Sequence, residues 1–443
     1  MSHKSTTHLK GERGQAFTDQ IRNIPLERIL CVSLDIGKYF HVVMIHNALG
    51  EIVTPTFEID IFQSGFRTLC TAIEAAASRT RAKVVLTGME PTGHYFENLA
   101  RQLQARPQPV TLINSYAVKQ NRSQQMMRRE KTDEIDVAAV GDLLRRGEGT
   151  PYRPASGLYL QLQQLDRARL AKLKLQTMLK NQILGHLDRI FPGLVLQGQE
   201  ATDRYEPLFS SSFWQCQTLQ HLVRVCPDPC RLACLSPSEL VALFHDRHYR
   251  LGQQNAAKII AYAQKILWPD PELSAIRNDL LQADLTLLEH LQFQLDQLEQ
   301  RLSDLLAQTP AAVWATLKGV SPVQAASLAA AMGDPAHYTY AAQIFRRAGL
   351  VSGRNDSGNR QRQGKGQGVL KVGDVYLRRA LMTLTETLIL HQPGLRQYYT
   401  TLKKTKHPGV ARVATARKAL GILWATLRDQ RSFTLGLKKG RPM

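Results

Sequence analysis

The sequence predicts an α/β domain followed by a mainly helical region, and three observations carry this prediction. Short apolar runs alternate with helical patterns from residue 29 to about residue 150. Residues 158–190 have a helical periodicity of apolar positions. Leucines recur at helical spacing again in residues 281–305. From about Ala312 the chain is helical and rich in small residues. We therefore predict three domains, over residues 29–150, 151–308 and 309–443.

The chain carries a large excess of positive charge. Lysine and arginine number 57 against 37 aspartates and glutamates, so the 443 residues have a formal charge of +20. Such an excess attracts polyanions through counterion release, which makes nucleic acid the expected partner. No apolar run reaches the roughly 18 residues that a membrane-spanning helix needs, and no signal-peptide pattern opens the sequence. We expect a soluble intracellular protein without a membrane partner.

The N-terminal elements can be assigned in order along the chain. Residues 1–28 are polar, basic and without periodicity, and we expect a flexible basic tail there. Three strands then follow one another, ILCVSLDIG, FHVVMIHNALG and EIVTPTFEID. An α/β unit continues with a helix around residues 65–78, a strand at AKVVLTGME, a helix from about Tyr95 to Gln104 and a strand at PVTLIN. The helix TDEIDVAAVGDLLRRG closes this region.

Two long helices are predicted beyond the α/β domain. Residues 158–190 keep a helical period and stop at Phe191-Pro192. The second helix has the leucine spacing of a coiled coil, which Asp284 interrupts. Its leucines are Leu281, Leu288, Leu291, Leu295, Leu298, Leu302 and Leu305. Two arrangements stay open, namely a coiled coil with a second chain and an intramolecular hairpin with the first long helix.

An insert of short helices and loops, residues 191–275, separates the two long helices, and its sequence indicates no function. Three of the six cysteines, Cys226, Cys230 and Cys234, recur at four-residue intervals in CPDPCRLAC. Zinc ligands are more often paired as C-x2-C, and no matching fourth ligand is evident, so small buried residues are favoured and zinc is the alternative. Sparse cysteines do not indicate a disulfide framework, which fits the cytoplasm.

A basic, glycine-rich stretch interrupts the C-terminal domain at VSGRNDSGNRQRQGKGQGVLKVGDVYLRRAL. Between residues 351 and 380 it has seven basic residues and only two acidic ones, Asp356 and Asp374. This composition cannot bury itself, and we expect it to contact phosphates. The candidate nucleic-acid contacts are Lys131, Arg354, Arg360, Arg362, Lys365, Lys371, Arg378 and Arg379.

Two carboxylates lie at the ends of predicted strands. Asp35 ends ILCVSLD and Glu90 ends VVLTGME. If these strands run parallel, their carboxyl ends open at the sheet edge where α/β folds bind ligands. A carboxylate there is costly to bury unless it is paired or bound to metal. The alternative interpretation makes Asp35 a turn former before Gly37 and Glu90 a helix cap.

A second carboxylate pair occurs in KTDEID. If Thr132 caps a helix, Asp133 and Asp136 lie three positions apart on one face of its first turn. Acidic residues there also interact favourably with the helix dipole, so a solvated helix start is an open alternative. Together with Asp35 and Glu90, the pair would supply four carboxylates that can hold two Mg²⁺ ions against a phosphodiester. We predict one Mg²⁺ site built from the four side chains.

The ordered motifs resemble one protein family. LDIGK, MEPTGHY, KTDEID and, in the basic region, SG followed by LKVGDVYLRRAL are similar to motifs of the DEDD transposases of bacterial insertion sequences. These are the insertion-sequence-110 family, known as bridge-RNA-guided recombinases. The resemblance spans nearly the whole chain and implies a RuvC-like, ribonuclease H-type N-terminal domain. By motif position, Asp35, Glu90, Asp133 and Asp136 resemble the four catalytic carboxylates of the family.

The resemblance also implies a catalytic serine. Ser357, in RNDSGNRQR, takes the position of the serine in the SG dipeptide of the family. It would attack DNA at the carboxylate–Mg²⁺ site and form a covalent phosphoserine link, whereas composition alone would make it a turn residue. Three patterns depart from the family: PGIG reads KGVS at 318–321, SK reads LK at 370–371, and GN reads GD at 373–374. These departures concern DNA contact more than chemistry.

These observations predict an RNA-guided DNA transposase of an insertion sequence. Its expected partners are the ends of the element and the target DNA, a guide non-coding RNA, and further copies of itself in a dimer that assembles to a tetramer. The leucine seam from Leu288 to Leu305 is the expected dimer contact. We expect a bacterial cytoplasmic protein associated with the nucleoid. A RuvC-like nuclease without a covalent intermediate and a non-catalytic nucleic-acid-binding protein are the alternatives.

Overall fold

The computed structural model divides the chain into two compact units, residues 1–154 and residues 155–443. The first unit is built on a mixed sheet, and the described part of the second unit is helical. The structure describes residues 11–106, 109–125, 132–153, 157–195, 208–209, 211–351 and 373–429.

The first unit is a six-stranded sheet covered by helices. Its strands are β1 (Ile29–Ile36), β2 (Phe40–Asn47), β3 (Ile52–Asp60), β4 (Val84–Met89), β5 (Val110–Leu112) and β6 (Thr150–Pro151). They lie in the order β3-β2-β1-β4-β5-β6. The pairing is antiparallel from β3 to β1, parallel from β1 to β5, and antiparallel again at β6. This mixed α/β architecture, followed by a helical region, is consistent with a ribonuclease H-type domain.

Helices lie on both faces of this sheet. They are α1 (Gly11–Ile21), α2 (Gln63–Thr80), α3 (Phe96–Gln104), α4 (Ser115–Gln125) and α5 (Asp133–Arg145). Leu30, Val32 and Leu34 of β1 pack with α2 and α3 on one face, whereas Ile29 and Cys31 pack with α5 on the other. Since successive side chains of a strand alternate between faces, the odd-numbered positions of β1 face α5.

The structure corrects the sequence prediction at two places in this unit. The flexible tail predicted for residues 1–28 is wrong over residues 11–28, because α1 and a 3₁₀ turn occupy this stretch and Phe17 and Ile21 pack against the core. Helix α4 was not predicted, since SYAVKQNRSQQ is largely polar and has little apolar periodicity. The three consecutive strands, the later strands β4 and β5, and helices α2, α3 and α5 follow the prediction.

The second unit begins with a long helical hairpin. It is formed by α6 (Gly157–Ile190) and a second long helix, Pro271–Ala307, which is α11 in chain order. Partners run in opposite directions along the two helices: Arg169 pairs with Glu299 at 2.7 Å and His186 faces Asp284 at 3.6 Å. The intramolecular hairpin is therefore the arrangement observed. Most leucines of the predicted seam are buried or half-buried inside this chain, which removes the seam as a dimer contact.

The predicted insert is a cluster of helices at the end of this hairpin. It contains α7 (Gln217–Val225), α8 (Pro229–Ala233), α9 (Pro237–His245) and α10 (Gln253–Lys265), and α11 (Pro271–Ala307) follows. Phe213 and Phe244 lie fully buried in its core, together with Leu281 of the hairpin. Cys226 is buried, which raises the pKa of its thiol to about 11, whereas Cys234 is exposed to solvent. The insert thus has its own core and is anchored to α11.

In the C-terminal region the structure describes the helices α12 (Pro322–Met332), α13 (Ala341–Arg347), α14 (Val375–His391), α15 (Pro393–Lys403) and α16 (Pro408–Asp429). Their core also contains Leu162 of α6 and Leu302 of α11. Trp314, which is almost fully buried, donates from its indole nitrogen to the Leu423 carbonyl at 3.1 Å. The domain boundary predicted at residues 308/309 therefore does not separate two cores.

Candidate active site

Asp35 and Glu90 lie side by side at the carboxyl ends of two parallel strands. Leu34 of β1 is in register with Met89 of β4, so the next residue of each strand falls at the same level. The Glu90 amide donates to the Leu34 carbonyl at 3.4 Å. The two carboxylates therefore share the edge of the sheet where α/β folds place their ligands.

Helix α5 brings the second carboxylate pair to the same edge. The Thr132 hydroxyl oxygen accepts a hydrogen bond from the Ile135 amide at 3.3 Å and caps the helix, as predicted. Asp133 and Asp136 both lie in the first turn. Asp133 is exposed, whereas Asp136 is buried against the sheet.

Gly141 permits the close approach of α5 to the sheet. A Cβ atom at this position would overlap the His46 ring and lie 2.8 Å from the Ser33 hydroxyl oxygen. Those two side chains are themselves hydrogen-bonded across β1 and β2 at 3.1 Å. A second glycine, Gly88 of β4, makes room for Leu144 of α5.

We expect Gly141→Ala to destabilise the protein by about 1–3 kcal/mol, which is typical of overpacking in a tight core. The added methyl group would displace α5, and with it Asp133 and Asp136, so DNA cleavage should also fall. Thermal unfolding and a cleavage assay on the purified variant measure the two effects. Gly185→Ala is the matched control, because a Cβ there meets only the end of the flexible Arg189 side chain at 3.5 Å. Equal effects of the two substitutions would contradict the close-packing argument.

Three of the predicted carboxylates act electrostatically on the fourth, Asp35. The pKa of Asp35 is raised above its usual value, first by partial burial and then by the negative charges of Glu90, Asp136 and Asp133, in that order of importance. A hydrogen bond from the backbone at Ile36 opposes this rise. Asp35 therefore lies close enough to the other three predicted carboxylates for their charges to oppose its ionisation. This excess negative charge favours a cation.

A positive charge already compensates one carboxylate. The Arg122 guanidinium of α4 forms an ion pair with Asp136 of α5, and the two side chains are only 21% and 8% exposed. Asn121, the neighbouring residue, donates to Asp142 of α5 at 2.7 Å and fixes α4 in place. Sequence analysis missed Arg122 because helix α4 was not predicted. An arginine three residues before the end of a polar helix gives no sequence signal for this contact.

Two family models match the chain. The model of DEDD transposases of IS110 elements, described as a transposase, matches residues 32–192. The model described as "Transposase IS116/IS110/IS902 family" matches residues 311–400. Together they cover more than half of the chain and include all five predicted catalytic residues. The chain belongs to the IS110 family of DEDD transposases. No curated protein matches it.

An IS110-family transposase cuts and rejoins DNA, so the candidate site has to hold a phosphodiester. A cavity of about 380 Å³ opens beside the first turn of α5, where Thr132, Asp133 and Glu134 line it together with Val42 and Glu58. None of the described helices is both long and apolar enough to cross a membrane.

The carboxylates of this transposase fit Mg²⁺ in chemistry but not yet in arrangement. Mg²⁺ prefers carboxylate oxygens together with waters and phosphate oxygens, which is the donor set of Asp35, Glu90 and Asp133. Among the described residues, no three His, Cys, Asp or Glu side chains are placed so that they could hold one ion. The ion pair with Arg122 engages Asp136. Asp136 would have to leave Arg122, and the other three carboxylates would have to move closer together, before the four could hold one ion.

We expect Arg122→Gln to lower the unfolding temperature without metal and to increase the stabilisation that added Mg²⁺ confers. Removal of one partner from a buried ion pair costs about 3–5 kcal/mol, and less where a partner is as exposed as Arg122. The variant leaves Asp136 unpaired beside three other carboxylates, so a divalent cation should bind more tightly. Thermal unfolding with and without Mg²⁺ measures both effects. The control is Arg145→Gln, whose ion-pair partner Asp142 is not among the four. An unchanged Mg²⁺ response in Arg122→Gln would contradict this role.

The predicted serine and most of the predicted basic contacts of the transposase lie outside the described residues. These are Lys131, Arg354, Ser357, Arg360, Arg362, Lys365 and Lys371. The described residues on either side of 352–372 are joined to each other, because Arg347 pairs with Asp374 at 3.0 Å and the Asp374 amide donates to the Arg347 carbonyl at 2.6 Å. Asp374 also caps α14 by accepting from the Leu377 amide at 3.1 Å. The departure from GN to GD thus has a structural reason, since asparagine could cap the helix but could not form the ion pair.

Arg378 and Arg379 lie in the first turns of α14. Arg379 stands near the buried Asp166 carboxylate. Burial raises the pKa of Asp166, and the Ser327 hydroxyl and the charges of Arg169 and Arg379 oppose that rise. The charge of Arg379 therefore also acts on a carboxylate of its own unit.

Proposed function

We propose that this IS110-family transposase is an RNA-guided recombinase that cuts, covalently holds and rejoins DNA strands with Mg²⁺. The observation that carries the proposal is the convergence of four carboxylates where β1, β4 and α5 meet. A ribonuclease H-type sheet with several carboxylates near Asp35 at this edge suits phosphodiester chemistry. Solvated helix and strand ends, which the sequence left open, would not require this convergence.

The carboxylates have distinct tasks in this proposal. Asp35 and Glu90 extend from rigid strands, so they would hold Mg²⁺ at a fixed position, whereas Asp133 lies exposed beside the cavity. When bound, Mg²⁺ supplies the positive charge that stabilises the negative charge developing on the phosphate. Asp136 is held by Arg122 until the site is occupied. Rigid positioning of this kind lowers the barrier because less has to be ordered during the reaction.

Ser357 is the proposed nucleophile. Its hydroxyl oxygen forms a new bond to phosphorus, and the bond from phosphorus to one DNA oxygen breaks. The serine proton passes to the displaced DNA oxygen, which leaves as a hydroxyl, so the number of phosphodiester bonds is unchanged and no oxidant or hydrolysis is needed. Because an unaided serine is a weak nucleophile, the reaction requires that Ser357 reach the carboxylate site.

Nucleic-acid binding relies on the basic residues. The formal charge of +20 favours binding to any polyanion, and the basic stretch with Arg354, Arg360 and Arg362 is the proposed DNA contact. The guide RNA is proposed from the motif resemblance, and the charge of the chain is compatible with an RNA partner. Both nucleic acids would bind through phosphates in a salt-dependent way.

Trapping of a protein–DNA adduct tests the proposal. The protein is incubated with labelled DNA of one element end, a target duplex, Mg²⁺, and the transcript of the non-coding DNA that flanks the gene. We expect a covalent adduct that resists denaturation and requires both the transcript and Mg²⁺. Cleavage without an adduct would favour the RuvC-like nuclease, and an adduct that forms without the transcript would remove RNA guidance.

A further inference from the structure

The insert contains a cavity of about 490 Å³ that the catalytic proposal does not use. It lies between α7, the loop that follows α9, and one turn of α11. Its volume is within the range of about 300–1,000 Å³ of small-ligand sites. The lining residues that matter here are Gln220, His221, Arg224, Arg247, Tyr249 and Glu289.

The wall formed by α7 is fixed in position. Leu219, Leu222 and Val223 of this helix are buried in the core of the insert. From α11, the Gln282 side chain donates from Nε2 to the Val223 carbonyl at 2.9 Å, and Glu289 pairs with Arg224 at 2.5 Å. The cavity therefore rests on packed helices.

The opposite side is an exposed turn at the end of α9 with the sequence HDRHYR. Amides of Arg247 and Tyr249 both donate to the Phe244 carbonyl, at 3.1 and 3.0 Å, and His248 adopts a left-handed backbone with φ of 61°. This closed turn directs Arg247 and Tyr249 to the cavity, where both contribute to the lining.

The lining carries an excess of positive charge. It contains two arginines, Arg224 and Arg247, and one carboxylate, Glu289. Arg247 forms no ion pair with any residue that the structure describes. His221 adds no charge at neutral pH, because burial and the nearby Arg224 lower the pKa of its ring. An anion that enters the cavity would thus meet Arg247, which has no counter-ion among the described residues, and Arg224, which is shared with the exposed Glu289.

An aromatic surface accompanies these charges. The Tyr249 ring lies beside the His221 ring, and 41% of the tyrosine remains exposed. Unpaired bases stack on aromatic side chains of this kind. The side-chain nitrogen of Gln220 already donates to the Phe213 carbonyl at 3.0 Å, which leaves its oxygen and its second N–H for a base edge. Bases in a duplex are stacked on their neighbours and are not available to such a surface.

We propose that this cavity binds one unpaired nucleotide of a single-stranded nucleic acid, with the phosphate on Arg247 and Arg224 and the base on Tyr249. The insert, whose sequence indicates no function, would then bind single-stranded nucleic acid. The proposal does not depend on the carboxylate site, because no residue of the cavity belongs to the first unit. The carboxylate site and this binding site can therefore be refuted independently, the first by a cleavage assay and the second by a binding assay.

The test uses the full-length protein and labelled 12-nucleotide oligouridine RNA, the matching oligodeoxythymidine, and a DNA duplex of the same length. We expect Tyr249→Leu to weaken binding of a single strand by roughly 5- to 150-fold, the range for loss of one stacked base, and to leave duplex binding unchanged. Tyr249→Phe should retain the wild-type affinity. Arg247→Gln should lower the salt slope for single strands by about 0.7. Comparison of the RNA with the DNA probe identifies which strand the cavity prefers.

The matched control is Arg250→Gln, an exposed arginine of the same turn that does not line the cavity. Thermal unfolding checks that each variant is folded. Photocrosslinking of the wild-type protein with 4-thiouridine RNA and 5-iodouridine DNA gives a readout that requires no variant, and the crosslinks should map to residues 217–249. Equal losses in Arg247→Gln and Arg250→Gln, or crosslinks only outside this range, would overturn the proposal.

Discussion

Replacement of Asp35 by asparagine should lower DNA strand cleavage by at least about 100-fold, because loss of even an indirect metal contact costs 10–100-fold. Binding of DNA should remain nearly unchanged, since the phosphate contacts are made by lysines and arginines elsewhere in the chain. A cleavage assay and a binding titration on the same preparation measure the two quantities. Glu90→Gln should behave in the same way, because its backbone is hydrogen-bonded to β1 beside Asp35.

Stability supplies a second readout for the same substitution. Asp35 has a higher pKa in the folded protein than in the unfolded chain, so its ionisation lowers the free energy of unfolding. This loss of stability is complete above the folded pKa and disappears as the pH falls below the pKa of the unfolded chain. At neutral pH and without metal, Asp35→Asn should therefore raise the unfolding temperature. Mg²⁺ should stabilise the wild type and have little effect on the variant, since binding to the folded state adds to stability.

Asp136→Asn should instead lower the unfolding temperature without metal, because Arg122 would lose its partner in a partly buried position. The control is Glu74→Gln, which removes an exposed carboxylate of the same unit and should alter neither cleavage nor the Mg²⁺ response. If Asp35→Asn retained cleavage, or if Mg²⁺ stabilised this variant as much as the wild type, the carboxylate site would be refuted.

The sequence contained enough information to place the four carboxylates but not to describe their surroundings. Asp35 and Glu90 follow runs of β-branched and aliphatic residues, so the strand ends were visible from composition. Thr132 is a strong helix cap, and it fixed the start of α5. Arg122 lies on a polar helix held by a few contacts with α5, and no local pattern reports such contacts. Tertiary packing alone decides its position.

The long helices show the same limit. Leucine spacing identifies a helix face that must be buried, but it does not say whether the covering helix belongs to the same chain. The deciding residues are polar pairs such as Arg169 with Glu299 and Gln176 with Gln292, which are separated by more than a hundred positions. Asp284, an apparent defect in the seam, faces His186. Its position is understandable once both helices are known.

The predicted role of Ser357 gives the second large effect. Ser357→Ala should abolish the covalent DNA adduct and lower strand exchange by at least about a thousandfold, as expected when a nucleophile is removed. Binding of DNA and the Mg²⁺-induced stabilisation should both persist, because the four carboxylates are unchanged. Adduct trapping, strand exchange and thermal unfolding measure these properties. The control is Ser352→Ala, which changes the other serine of VSGRNDSG and should leave the adduct in place.

We further expect Ser357 of one chain to act at the carboxylates of another. The hairpin removes the leucine seam from Leu288 to Leu305 as the contact between chains, so a different surface must serve. Apolar residues along the N-terminal half of α11 remain exposed, and they could join two copies. These residues are Leu273, Ile276, Leu280 and Leu287.

Complementation tests this expectation. Ser357→Ala and Asp35→Asn proteins, each inactive alone, are mixed with DNA and Mg²⁺, and strand exchange is measured. In a shared site, some mixed assemblies combine an intact serine with an intact carboxylate set, so activity should return and should depend on the ratio of the two variants. If each site were built within one chain, every chain would carry one defect and no mixture would be active. A charge at Leu280 or Leu287 should then abolish complementation while leaving each folded monomer stable, because both side chains are exposed. Retention of the DNA adduct by Ser357→Ala would remove this serine from the mechanism and, with it, the shared site.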